Sequence, residues 1–253
     1  MTLFIIGLGL NDEKDISVKG LEAVKKCDFV YLENYTSILA CSVEELEKFY
    51  EKKIILANRE LVEKQADELI LEQAKTRNVA FLVIGDPLTA TTHTDLMLRA
   101  KKNNIETRII HNASVFTAVA QTGLQLYKFG KITSIPFFEE FIAVETPYKV
   151  LKQNKDSGMH TLFLLDLNPD KERFMTINDA IEILLKIEDK KRQKIFTKDT
   201  LCVGCARLGS DDQMIYAGNA EELLGCDFGK PPHCLIVPGA LHFMEEEFLA
   251  QFH

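Results

Sequence analysis

Three turns, the first two marked by glycine, carry polar side chains directly after apolar runs. They are Gly7-Leu-Gly9-Leu10-Asn11-Asp12, Gly85-Asp86-Pro87-Leu-Thr89-Ala90-Thr91-Thr92-His93 and His111-Asn-Ala-Ser114-Val115. Their chemistry is that of ligand binding. Glycine lets the backbone approach a ligand closely. An aspartate pinned between Gly85 and Pro87 can accept hydrogen bonds from a hydroxyl or an amine, and the threonines add short donors and acceptors. A dinucleotide fingerprint would need a third glycine at position 12, where Asp12 stands, and Asp12, Glu13 and Asp15 would repel a phosphate. A nicotinamide-dependent oxidoreductase is therefore disfavoured, whereas a nucleotide-binding regulatory module without catalysis stays open. Plainer readings stand beside these: Asp86 as a turn residue, His93 as a packed or capping histidine, Ser114 as an N-cap. For Gly123-Leu-Gln-Leu-Tyr-Lys-Phe-Gly130 the plain reading of the tyrosine and phenylalanine is core packing.

No nucleophile, base and orienting group can be read together. G-x-S-x-G, H-E-x-x-H and G-x-x-x-x-G-K-[ST] are all missing from the sequence. Cys202 and Cys205 form a C-x-x-C without a second pair at zinc-ligand spacing. They read as two buried strand cysteines, no metal site is expected, and the six cysteines read as reduced thiols.

The turns must be held by strands. Leu3-Phe-Ile-Ile-Gly7, Phe29–Leu32, Lys53–Leu56, Val79–Ile84 and Thr107–Ile110 are short apolar runs. Helical patterns fall between them, from Ser17 to Cys27, from Leu61 to Thr76 and from Asp95 to Lys102. This β/α alternation predicts a mainly parallel sheet over residues 1–112. Open sheets of that kind bind ligands beyond the carboxyl ends of their strands.

Residues 113–253 read differently. A helix from Ser114 to Thr122 precedes a strand at Ile132–Ile135 and a Pro136-Phe-Phe-Glu139 stretch. Thr161–Leu165 is a buried strand, and Ile177, Ala180, Ile181, Leu184 and Leu185 form one helix face. Strands at Leu201–Ala206, Met214–Ala217 and Cys234–Val237 and a final helix from Met244 predict a mixed-sheet α/β domain. The basic run Lys186–Lys198 reads as a solvated helix end and loop, with a docking surface as the alternative.

Composition narrows the class. The chain has 253 residues, 46% hydrophobic and 27% charged, enough for one large domain or two smaller ones. A net charge of −8 argues against binding dominated by nucleic-acid phosphates. No apolar run approaches the roughly 20 residues that span a bilayer. Leu3–Leu10 lacks a basic flank and a cleavage site, so it reads as a strand rather than a signal segment, and a cytoplasmic location is expected.

Several strings resemble the diphthine synthase family. They are Gly7-Leu-Gly9-Leu10, Gly85-Asp86-Pro87 with Ala90-Thr-Thr-His-Thr-Asp-Leu96, His111-Asn-Ala-Ser114 and Gly123–Gly130. Gly158-Met-His-Thr-Leu-Phe-Leu-Leu-Asp166 and Leu201-Cys-Val-Gly-Cys-Ala-Arg-Leu-Gly209 extend the match from the first strand to the last helix. The resemblance implies a two-domain tetrapyrrole methylase-like α/β fold with S-adenosylmethionine held in the cleft between the domains. Cofactor contacts are implied at Leu10, Asp86, Thr89, Ser114, Val115, Leu165, Leu208 and His233. Cys205 stands where the family would have an aliphatic residue.

The resemblance also implies the reaction. Family members methylate the amine of a 3-amino-3-carboxypropyl-histidine on elongation factor 2, and they are homodimers. Archaeal members resemble trimethylases that stop at diphthine, whereas eukaryotic members add a fourth methyl to the carboxylate and give diphthine methyl ester. Gly158–Asp166 and Gly209-Ser-Asp-Asp-Gln213 resemble the eukaryotic strings. Methyl transfer from a sulfonium needs alignment more than a nucleophile or metal, which accords with the missing motifs. The catalytic residues are not assigned by the resemblance. His93, Arg59 and Arg207 are candidates for substrate contact or proton transfer by position and charge alone. A methyltransferase of the same fold acting on a corrin or porphyrin precursor is the alternative.

Overall fold

Leu3–Gly7 and Val79–Val83 are apolar on both faces, as suits strands in the interior of a parallel sheet covered on both sides. The computed structural model places them there, side by side, and describes residues 1–137 and 145–253. Phe138 and Glu139 of the Pro136-Phe-Phe-Glu139 stretch lie outside the described residues. The chain separates into two compact units, Met1–Phe116 and Thr117–His253.

The first unit runs β1 (Thr2–Gly7), α1 (Val18–Lys25), β2 (Phe29–Glu33), α2 (Val43–Tyr50) and β3 (Ile55–Ala57). Two wide π-type turns, Leu61–Gln65 and Asp67–Leu71, then lead into α3 (Glu72–Ala74). β4 (Val79–Val83), α4 (Thr94–Lys102), β5 (Glu106–Ile110) and α5 (Val115–Ala118) follow. The strand order is β3-β2-β4-β1-β5 and every pair is parallel. Alternation along β1 sends Leu3 and Ile5 into a core with Ile70, Leu96 and Ala100, and Ile6 into one with Val24, Leu46 and Tyr50. The adjacent strands β1 and β4 connect onward in opposite directions, to β2 and to β5. Beyond their carboxyl ends lies the crevice that such sheets use for ligands.

Helix α2 was not among the sequence expectations, although its signal is present. Ser42 accepts from the Glu45 amide and Glu45 returns a bond to the Ser42 amide, closing a capping box.

The second unit holds β6 (Thr133–Ile135), α6 (Thr146–Asp156), β7 (Thr161–Leu165), β8 (Leu167–Asn168), β9 (Arg173–Phe174) and α7 (Ile177–Lys191). β10 (Leu201–Ala206), β11 (Met214–Asn219), α8 (Ala220–Leu224), β12 (His233–Val237) and α9 (Phe243–Leu249) complete it. Its main sheet has the order β11-β10-β12-β7-β6, in which only β6 and β7 run parallel. The parallel sheet of the first unit and the mixed sheet of the second are the arrangement expected from the element pattern. Cys202 and Cys205 are buried on β10, with Cys205 opposite Cys234 of β12, and burial pushes the Cys202 thiol up. Among the described residues no group of three His, Cys, Asp or Glu side chains could hold a metal ion.

Inside the basic run, one acid organises the chain. Glu188 is 8% exposed and accepts from the Lys194, Ile195 and Phe196 amides and from the Tyr148 hydroxyl, at 2.7 to 3.0 Å. Burial alone would raise its carboxyl, but these donors outweigh it and hold it at about 2. Its folded-state value is thus depressed, so its stabilisation is complete above the ordinary 4.5 and is lost as pH falls toward about 2. Glu188→Gln should cost about 1.5–3 kcal/mol at neutral pH, read as a lower urea midpoint. The difference from wild type should shrink at acid pH. An equal difference at pH 7 and pH 2.5 would contradict this role.

Candidate active site

The first group of site residues is set by backbone contacts between the turns that follow β1, β4 and β5. Gly9 and Gly85 exchange amide-to-carbonyl bonds at 3.3 and 2.8 Å, and the Leu8 amide donates to the Val83 carbonyl at 2.8 Å. Gly9 has φ +90°, and a Cβ built on it would lie 2.5 Å from the Asp15 Cβ. Glycine is required there for both conformation and space. Asp15 accepts from the Leu10 and Asn11 amides at 3.0 and 2.8 Å, so the acidic residues after the turn fix its backbone. The Asn112 amide group ties the third turn to the first by donating to the Gly7 and Asp15 carbonyls at 3.0 and 2.9 Å.

Asp86 lies at the centre of this group and is 9% exposed. Its Oδ1 accepts from the Leu88 amide at 3.0 Å and the Thr89 hydroxyl at 3.1 Å. Its Oδ2 accepts from His111 Nδ1 at 2.7 Å and from the Asn112 amide at 3.3 Å. Burial alone would raise the carboxyl, yet the four donors reverse that and hold it below its ordinary value. The result is a fixed negative charge at the carboxyl edge of the sheet, with buried Ser114 and half-buried Val115 opening the chain beyond β5.

The second group lies in the other unit and comes together through strand register. Ala206 at the end of β10 stands opposite His233 at the start of β12, and Leu164 of β7 stands opposite Cys234. Leu165, Leu208 and His233 thus lie toward one end of the second sheet, and all three are buried. His233 donates from Nε2 to the Lys230 carbonyl at 3.0 Å, which leaves the buried Nδ1 as an acceptor without a hydrogen-bond partner among the described residues. Burial holds its imidazole below the ordinary value, so it is neutral at pH 7.

The residues singled out by position and charge are each held by contacts of their own. His93 is 2% exposed, bonded through Nδ1 to the Pro87 carbonyl at 3.2 Å and set edge-on to Phe81. Its packed reading is the observed one. The Arg207 guanidinium is bound by Asp212 and by the Phe228 and Lys230 carbonyls, which clamps the loop before β12. Arg59 stacks over Tyr35 at 5.3 Å. One partner was missed by sequence reasoning: His111, named only as part of its turn. Its signal was its position directly after the strand that flanks β1.

A family model for tetrapyrrole (corrin/porphyrin) methylases matches residues 2–224. The diphthine methyl ester synthase of Dictyostelium discoideum is 48% identical, over 100% of this chain and 98% of the relative. The diphthine synthase of Methanococcus maripaludis is 47% identical over 98% and 97%. A crystal structure of diphthine synthase superposes with a TM-score of 0.91 at 43% identity, covering 100% of this chain and 96% of that one. The chain belongs to the diphthine synthase family of tetrapyrrole methylases, and it is a methyltransferase.

Within this family member, the Leu-Tyr-Lys-Phe-Gly string differs from the core packing expected of it. Tyr127 is 79% exposed, because a tight turn over Leu126–Lys128 points it outward and its hydroxyl bonds to Gln125 at 2.6 Å. Phe129 is half-buried against the His160 ring. Lys128 pairs with the buried Glu245 of α9.

Proposed function

We propose that this methyltransferase uses S-adenosylmethionine to methylate the 3-amino-3-carboxypropyl-histidine of elongation factor 2 in diphthamide synthesis. The observation that carries the reading is the fixed Asp86 carboxylate at the carboxyl edge of the first sheet, with near full-length similarity to diphthine and diphthine methyl ester synthases beside it. The residues fit such a donor. A buried negative charge suits a cationic sulfonium and amino group, and the acidic first turn disfavours a polyphosphate. The His233 Nδ1, without a partner among the described residues, suits a ligand amine donor. Leu10, Asp86, Thr89, Ser114 and Val115 would contribute from the first unit, and Leu165, Leu208 and His233 from the second. The donor supplies an activated methyl group, so the protein needs to align the acceptor and exclude water.

The reading includes four transfers. The amine accepts three methyls, after which its lone pair is used up. The remaining nucleophile is the substrate carboxylate, already ionised at pH 7. The Gly158–Asp166 and Gly209–Gln213 strings support the four-transfer product, whereas relatives with either name stand at nearly the same identity. Intact-mass measurement of elongation factor 2 carrying the unmethylated intermediate should show four added methyls, the fourth removed by mild alkali. Three alkali-stable methyls would contradict the fourth transfer alone. A cytoplasmic homodimer, acting without membrane or nucleic-acid partners, belongs to the same reading. Among the described residues no helix is long and apolar enough to cross a membrane.

A further inference from the structure

A primary, secondary or tertiary amine is protonated near neutral pH and must lose a proton before it can attack carbon. Five of the six histidines are placed against this work. His93 Nε2 and His233 Nδ1 are sealed from solvent, with their other nitrogens bonded to carbonyls. His160 is fully buried between Glu245 and the Gly239 amide. His242 caps α9 and His253 is the last residue of the chain. His111 differs from all of them. Its side chain is 66% exposed, its Nδ1 is 2.7 Å from Asp86 Oδ2, and its Nε2 has no partner among the described residues. An ionised carboxylate only accepts, so Nδ1 carries the hydrogen and Nε2 presents its lone pair outward.

We propose that His111, oriented by Asp86, is the base that takes the proton from the substrate amine before each N-methyl transfer. The proposal rests on the methyl-transfer reading above. In each N-methyl cycle the ammonium N–H bond breaks and its proton passes to His111 Nε2, giving an imidazolium beside the Asp86 carboxylate. The freed lone pair forms the C–N bond, the S–CH3 bond breaks, and its electron pair stays on sulfur as the thioether of S-adenosylhomocysteine. The imidazolium then returns its proton to water. Three cycles remove three protons. The carboxylate has no proton to lose, so its methylation does not call on His111.

The test is His111→Gln, at an exposed position where folding is not at stake. It is assayed on elongation factor 2 with the unmethylated amine and, separately, with the trimethylated amine. N-methyl transfer should fall by about 10²-fold, recovering as rising pH deprotonates the amine in solution, while O-methyl transfer falls far less. Equal losses in both transfers, or no loss in either, would overturn the proposal. If the wild-type enzyme transfers no methyl to either form, the underlying reading fails and takes this proposal with it. A second readout needs no turnover. Imidazole ¹⁵N spectra of the unliganded protein should show neutral His111 protonated at Nδ1, and an Nε2–H tautomer would overturn the assignment.

Discussion

Replacing Asp86 with alanine should weaken S-adenosylmethionine binding about ten- to a hundredfold, corresponding to roughly 1.5–3 kcal/mol. The substitution removes the fixed charge and also frees the Leu88 and Asn112 amides, the Thr89 hydroxyl and His111, so the turn loses its shape together with its charge. The sheet beneath is held by β1, β4 and β5 pairing and should survive, keeping the circular dichroism spectrum of the wild type. The pH dependence follows from the depressed carboxyl. With the folded value depressed, the contribution of Asp86 is complete above the ordinary value and is lost as pH falls through the lowered one. Calorimetry of wild type and variant with S-adenosylmethionine measures the effect. Equal affinities would remove Asp86 from the site.

Glu245→Ala should strongly destabilise the second unit. Its carboxylate is fully buried and accepts from the Gln125 amide at 2.9 Å, the His242 amide at 2.8 Å and His160 Nε2 at 3.0 Å, besides its pairing with Lys128. Burial alone would raise it, but these donors hold it at about 2. Alanine would leave His160 and two amides without their acceptor and Lys128 without its counter-charge, a loss of about 3–5 kcal/mol. Because the folded value is depressed, this stabilisation is complete above the ordinary 4.5 and fades as pH falls toward about 2. The denaturant midpoint of the variant should drop sharply at pH 7 and converge on wild type in acid. A midpoint unchanged at pH 7 would mean that the cluster does not hold α9 in place.

Much of the fold was legible because it depends on local pattern. Val79–Val83 and Thr161–Leu165 are apolar without interruption, and each is a buried strand. Helix α7 starts where the Ile177, Ala180, Ile181 stripe begins. Helices α2 and α8 were missed because their apolar stripes are short, and their capping boxes, Ser42 with Glu45 and Asn219 with Glu222, are the stronger signal. Asp86 was legible as a turn acceptor. Its pairing with His111 was not, since it joins residues 25 apart through the neighbouring order of β4, β1 and β5. Tyr127 shows the converse: an aromatic residue in a short tight turn need not face the core, and composition alone does not reveal which way it points.

Methyl transfer to a single modified histidine of elongation factor 2 is the step expected of this enzyme. It is tested most directly with S-adenosylmethionine labelled in its methyl group and elongation factor 2 purified with the 3-amino-3-carboxypropyl-histidine in its unmethylated form. Label should appear in the protein at that one residue, in proportion to enzyme, and should be absent when the histidine is unmodified. Corrin and porphyrin precursors should remain unlabelled in parallel reactions. Label in a tetrapyrrole precursor with none in elongation factor 2 would contradict the account.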